Sequence, residues 1–321
     1  MRNLLYALLT ISAIVACSPV GNDSCITIDR LDRAITEYPT TSSAQRAALT
    51  DSFADDIKAL QFIYSDTTPA WEFLTKLGIS KGYRVFQPDI EKSLPDLDSI
   101  EHALGSIKAN LAEKLPDVHF PHCVAIVSPF RQSVFNVDTT MLIGLNHYLG
   151  ENHPAYAGFE PYLKVTKNAR HLPYDALLSI LSAAHPYEQT ATSNVLSRLL
   201  YEGACLYCME QTIDGWSEHE ALGWNERQLE WAKKNEAQAW NALVERDFLF
   251  STDPSVAQRL VEPSPSTAIL HRESPGQLGR YIGLKIVESY MKANPDTALK
   301  LLLSPDFYES PTTLSKAKYS P

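Results

Sequence analysis

Most of the short motifs that announce an activity are missing from this sequence. There is no G-x-S-x-G nucleophile elbow, no phosphate-binding G-x-x-x-x-G-K-[ST] loop and no G-x-G-x-x-G turn, which sets aside the hydrolase, nucleotide and dinucleotide readings those motifs support. No segment after the first seventeen residues is an uncharged apolar run of the roughly 20 residues that a membrane span requires. Basic residues are scarce and scattered. With 28 Lys and Arg against 38 Asp and Glu, the net charge is -10, and the absence of a basic stripe interleaved with aromatics argues against nucleic acid as a partner. Cysteine is rare as well, at five residues: Cys17, Cys25, Cys123, Cys205 and Cys208. The single C-x-x-C, Cys205 to Cys208, has no second pair to complete a zinc site and lies in a helical pattern, not in the strand-to-helix turn of a redox motif. It reads as two small core residues or a structural bridge.

What is present begins with MRNLLYALLTISAIVAC, a positive Arg2, an apolar stretch and a small residue before Cys17. Residues 1–16 read as an export signal. Their end, Ile14-Val15-Ala16-Cys17, resembles a bacterial lipobox, which makes Cys17 the diacylated first residue of the mature chain and its only membrane contact. Ser18 in place of Asp after Cys17 points to the outer membrane. Residues 17–42 then read as a polar tether, and 43–321 as the folded domain.

Helical spacing dominates that domain. Leu49, Phe53, Ile57 and Leu60 form one apolar stripe, Trp71, Leu74 and Leu77 another, and Leu97 to Leu115 a long one stopped by Pro116. After Pro121 the pattern changes to CVAIVSPF, SVFNVD and TTMLIGLNHYLG, three short runs rich in Val, Ile and Phe that predict a small antiparallel sheet. Helices resume with PYDALLSILSAA and SNVLSRLLYEGACLYCMEQT, the second capped by Ser193 or Asn194. A long helix follows from about Asn225 to Phe248, and Ser274-Pro275 and Asn294-Pro295 are expected to open two more. The expected fold is α+β, mostly helical, with a small antiparallel sheet followed by two core helices. Gly279-x-x-x-Gly283 marks a close helix crossing; Arg280 within it argues against a membrane interface.

In LLYEGACLYCMEQ one carboxylate, Glu202, stands on an otherwise apolar helix. Buried, it needs a partner, and Arg280 or Tyr281 on the helix after ESPGQ is the expected one. A small sheet followed by two helices, the second carrying Glu-Gly, resembles the layout of zincin metallopeptidases. There a strand lies beside the cleft, one helix bears HExxH and the next supplies a glutamate as third zinc ligand. The resemblance implies that Glu202 is the third-ligand position, with the two histidines about 24 and 20 residues earlier. Those positions are Leu178 and Ser182, and the intervening glutamate is Ser179.

The segments GWNERQLEWAKKNEAQAWNALVERDFLFSTDP, ESPGQLGRYIGLKIVESYM, SKAKYSP and MLIGLNHYLG, with LLYEGACLYCMEQ, resemble the gliding-motility lipoprotein B (GldB-like) family of Bacteroidota from about Arg84 onward. The resemblance implies a lipid-anchored envelope protein with a zincin-like fold that lacks HExxH. It is expected to be a noncatalytic pseudo-peptidase scaffold that binds a protein partner, with no cofactor and no metal. The strand holding Met141, Ile143 and Leu145 is expected at the sheet edge, where an extended peptide can add. The alternative is a zinc-dependent peptidase with an unusual metal site. Its candidate ligands are His119 and His122, or His185 and Glu188, although Pro186 directly after His185 spoils a helical frame.

Overall fold

The computed structural model describes residues 26–321, so the signal, Cys17 and Cys25 lie outside the described residues. A two-residue strand, β1 (Ile28–Asp29), leads into six helices: α1 (Leu31–Glu37), α2 (Ser43–Ser52), α3 (Ala54–Tyr64), α4 (Ala70–Gly78), α5 (Lys81–Ser93) and α6 (Asp98–Lys114). The remaining strands are β2 (His122–Ile126), β3 (Val134–Val137) and β4 (Thr140–Gly144). After a one-turn α7 (Pro161–Lys164) come α8 (Leu172–Ala184), α9 (Val195–Thr212), α10 (Glu218–Ala221), α11 (Glu226–Glu245), α12 (Pro254–Val261) and α13 (Leu278–Ala293). The chain closes with short α14 (Leu299–Leu302), α15 (Pro305–Tyr308) and α16 (Thr313–Ala317).

The leucine stripe of α6 is buried at Ile100, Leu104, Ile107 and Leu111, as its spacing requires. The first expected helix is broken at Phe53, whose backbone (φ -109, ψ 25) separates α2 from α3. Asn194 caps α9: its side chain accepts from the Ser197 amide at 3.1 Å while Ser197 Oγ accepts from the Asn194 amide. Such a reciprocal cap contributes about 1 kcal/mol. Ser274 does not open α13. Its hydroxyl is spent inside a turn, donating to the His271 carbonyl and accepting from the Thr267 amide, and the helix starts three residues after Pro275, behind Gln277 in a left-handed conformation (φ 60). Asn294 likewise ends α13 and does not begin the next helix.

The sheet order is β1-β2-β4-β3. β1 and β4 both run parallel to β2, and only the β3–β4 hairpin is antiparallel, so the sheet is mixed, contrary to the all-antiparallel expectation. Burial explains the order. Every residue of β4 is buried, whereas β3 buries only Val134, and a strand apolar on both faces belongs inside a sheet. Met141 and Ile143 are therefore on an internal strand, and Leu145 opens a buried turn just past it; the expectation of an edge strand at these residues is overturned. β3 is the outer strand on that side. The proposed tether is also too long. Leu31 and Ile35 of α1 are fully buried, Tyr38 nearly so, and β1 pairs with β2, so the fold begins well before residue 43.

The centre of the molecule is α9, buried along almost its whole length. It crosses α13 where glycine faces glycine: a Cβ built on Gly203 would meet the Gly283 carbonyl group, and one on Gly283 would meet the Leu199 carbonyl oxygen. Gly279 packs against Leu199 and Leu260. The Gly-x-x-x-Gly spacing thus serves a backbone-to-backbone helix contact inside the core.

Candidate functional site

Glu202 precedes the glycine at this crossing, and its place on α9 follows from the crossing itself. Because Gly203 and Gly283 let the backbones meet, the side chain one residue earlier is pressed beside α13, where Arg280 lies one turn before Gly283. Arg280 Nε sits 3.1 Å from Glu202 Oε2, with both side chains about 90 % buried. Arg198, four residues earlier on α9, brings Nη2 to 2.7 Å from Oε1, an i, i+4 pair. The Arg198 guanidinium lies over the Tyr187 ring at 5.0 Å and the Tyr201 ring at 5.9 Å. Glu202 is thus buried and shared between two arginines, Arg280 being one of the two partners expected from packing. Tyr281 is not a partner. Its hydroxyl donates to Glu236 Oε2 at 2.7 Å, and Tyr319 near the C-terminus donates to Oε1 at 2.9 Å, so Glu236 fastens the chain's end to α11 and α13.

On its other side Arg280 helps line a cavity of about 200 Å³ between α8, α9 and the start of α13. Arg280 Nη1 donates to Gln277 Oε1 at 3.0 Å, and Gln277 in turn donates to the Leu222 carbonyl. Nη2 is buried without an acceptor, and Nε meets Glu202 as a close charge pair lacking hydrogen-bond alignment. The same cavity is lined by one stripe of α8 and the turn before it: His171, Asp175 and Leu178. His171 Nε2 lies 3.3 Å from Asp175 Oδ1, while Asp175 Oδ2 accepts from Tyr148 at 2.8 Å and Ser133 at 2.9 Å.

Burial alone raises the Asp175 pKa, but His171 and the two hydroxyls outweigh it and hold the carboxyl down at about 2. A folded-state pKa below the ordinary value of about 3.9 stabilises the fold fully above about pH 4 and ceases to do so as pH falls towards 2. Asp175→Asn is accordingly expected to cost about 2 kcal/mol near neutrality, less any screening by water in the cavity. Denaturant unfolding at stepped pH checks this: the gap between the two proteins should close between pH 4 and 2.

His171 also fronts a larger polar cleft of about 790 Å³ that His153, Arg170, His219 and Arg227 help to line. The two spaces are separated by the segments around residues 165–171 and 219–224.

The positions carried over from the zincin layout lie on α8. Leu178 faces the cavity, Ser179 Oγ accepts from Asn136 Nδ2 of β3 at 2.6 Å, and Ser182 is half-buried on the same helix. Among the described residues no three His, Cys, Asp or Glu side chains are grouped as metal ligands. His122 lies 3.4 Å from Asp29 and 3.7 Å from Asp56, and His185 lies 3.3 Å from Asp117. Cys123, Cys205 and Cys208 are buried free thiols. Burial pushes Cys205 up to about 12 and Cys208 well above the ordinary thiol value, which removes both as nucleophiles at neutral pH. Sequence reasoning passed over Arg198 and the His171-x-x-x-Asp175 pair; both were visible as i, i+4 spacings on helical stretches.

No curated protein and no solved structure matches the chain. A family model described as gliding motility protein GldB matches residues 18–321, nearly the whole chain and all of the elements described above. The chain belongs to the gliding motility protein GldB family.

Proposed function

We propose that this protein is a lipid-anchored, noncatalytic component of the cell envelope, on a zincin-like scaffold, that holds a protein partner of the gliding-motility type. The observation that carries the reading is the state of Glu202. Both of its carboxylate oxygens are engaged by guanidinium groups, and a carboxylate so engaged has little left to offer a metal ion. Leu178 and Ser182 stand where imidazoles are needed, and a leucine cannot ligate zinc. The succession of sheet, α8 and α9 agrees with a zincin-like ancestry in which the arginines have replaced the metal as the glutamate's counter-charge.

After exhaustive dialysis the protein is expected to retain no stoichiometric zinc by elemental analysis and to cleave no general protein substrate. One tightly held equivalent, lost on Glu202→Gln, would replace this reading with that of a zinc-dependent peptidase using an unusual site.

Anchoring rests on the lipobox at Cys17 and on the family. No helix among the described residues is long and apolar enough to cross a membrane, so a lipid on Cys17 is the attachment we assign. Cys17→Ala is expected to leave the precursor uncut or to move the protein from the membrane pellet to the soluble fraction. Normal processing with full retention in the pellet after a carbonate wash, which strips protein-held material, would refute the assignment.

A further inference from the structure

We propose that the outward face of α4 and α5 docks on an anionic lipid surface, the bilayer to which Cys17 ties the chain. The inference rests on the Cys17 anchor assigned above and adds a second, noncovalent contact to it. Three large apolar side chains stand in water on these two helices: Trp71 at 61 % exposure, Ile79 at 54 % and Val85 at 48 %. Their placement is set by helix geometry. In α4, Phe73, Leu74, Leu77 and Gly78 are buried, so at about 100° per residue Trp71 and Ile79 fall to the outer side. Trp71 thus leaves the stripe that its spacing to Leu74 and Leu77 predicts. In α5, Tyr83, Gln87 and Ile90 are buried, which turns Lys81, Val85 and Lys92 outward as one stripe. Only Ser80 separates the two helices in a described turn after Ile79, and both pack on α1, so their outer sides look away from it together.

Charge on this face favours an anionic partner. The chain as a whole carries -10, yet the acidic residues of α4 and α5 all have basic partners: Glu72 faces Lys76 at 3.0 Å, Asp89 faces His153 at 3.3 Å and Glu91 faces Arg33 at 2.7 Å. Lys81, Arg84 and Lys92 are exposed and form no ion pair among the described residues. An exposed Trp flanked by lysine and arginine suits the membrane interface, where the ring sits at headgroup level and the cations reach the phosphates.

The length of the tether keeps this face near the bilayer. Residues 18–25, eight in number, separate Cys17 from Ile26, and at about 3.3–3.6 Å per residue they allow a reach of at most roughly 30 Å. The chain enters the fold beside α5. Arg30, next to β1, lies 3.1 Å from Glu91, which is about 9 Å along the helix from Val85. A helix is only about 10 Å across, so the outer side of α5 lies well within the tether's reach of the lipid.

Fluorescence quenching by brominated acyl chains tests the proposal. The full-length lipidated protein is reconstituted into phosphatidylcholine vesicles holding a minority of phosphatidylglycerol, and tryptophan emission is compared with and without bromine on the acyl chains. Trp216, Trp224, Trp231 and Trp240 are buried or half-buried, so the wild type is expected to be quenched and Trp71→Ser to lose that quenching. Lys81→Glu combined with Lys92→Glu is expected to cut the Trp71-dependent quenching severalfold, since each lysine at an anionic surface favours contact about fivefold. Raised salt, and vesicles of phosphatidylcholine alone, should do the same to the wild type. Phe250→Ser, at an exposed aromatic beyond α11, should change nothing. Protein that floats with the vesicles but is quenched no more than Trp71→Ser, or quenching indifferent to the two lysines and to salt, would overturn the docking and leave the anchor standing. Protein that does not float with them refutes anchor and docking alike. A blue shift of Trp71 emission that grows with protein concentration, without quenching, would mean that a second copy covers this face, and it overturns the proposal too.

Discussion

Alanine at Gly283 is expected to destabilise the fold by about 3 kcal/mol or more. The added Cβ would fall on the Leu199 carbonyl oxygen and close to the Gly203 amide nitrogen. Both obstacles are backbone, so no rotamer change relieves them. Either α13 moves away from α9 along its length, or the helices lose hydrogen bonds at the crossing. Gly203→Ala meets the Gly283 carbonyl group from the opposite side and is expected to behave alike, but the double variant should not cost the sum, because one separation of the helices accommodates both methyl groups. Gly82 provides the contrast. A Cβ there has only Ser80 Oγ nearby, at 3.8 Å, so Gly82→Ala in α5 is expected to stabilise by about 0.5–1 kcal/mol through helix propensity. Denaturant unfolding of the three single variants is the measurement. A Gly283→Ala protein within 1 kcal/mol of wild type, by the same linear extrapolation, would mean that the helices are farther apart than described.

Glu202→Ala comes next, at about 2 to 4 kcal/mol. Most of that loss arises at Arg280, whose side chain is 9 % exposed and would be left charged and unpaired beside the apolar crossing. Arg198 suffers less. Its side chain is 35 % exposed and rests on the Tyr187 and Tyr201 rings, so it can turn to water. Glu202→Gln retains an acceptor oxygen for one guanidinium and should cost clearly less than alanine. Removing both charges in Glu202→Gln with Arg280→Met should recover part of the single-variant loss, since a buried pair can often be replaced by apolar packing. Variants at Glu202 that unfold like wild type would show the carboxylate to be a solvated surface charge.

Local periodicity made much of this fold readable. The stripes of α6, α8 and α9, and the Asn194 cap, follow from residues within one or two turns of each other, where sequence spacing and spatial neighbourhood coincide. The sheet was harder. Its three main strands are visible as Val- and Ile-rich runs, but their order depends on pairings between distant segments. The clue lay in composition: MLIG is apolar throughout and wholly buried, while VFNV carries Asn136 and buries only Val134. β1 is only two residues long and has no period of its own, so it passed for part of a tether, although Ile28, Leu31, Ile35 and Tyr38 already carried a helical rhythm towards the core.

The candidate site divides in the same way. Arg280 as the partner of Glu202 could be expected from packing, because the Gly-x-x-x-Gly helix had to lie against the apolar face of α9. The cavity could not. Its lining is drawn from stretches as far apart in the chain as Thr166 and Arg280, which no local spacing brings together.

The short strand β1 has a consequence for how copies of this protein treat one another. It covers only Cys123 and Val124 of β2, yet β2 is buried from Cys123 to Ile126 and apolar throughout that stretch. Without β1, an unguarded row of amide and carbonyl groups would flank an oily strand, the combination on which chains stack into aggregates. Two residues before the first helix thus act as a safeguard on solubility. A shortened chain starting at residue 43 would lose this cover together with the buried face of α1.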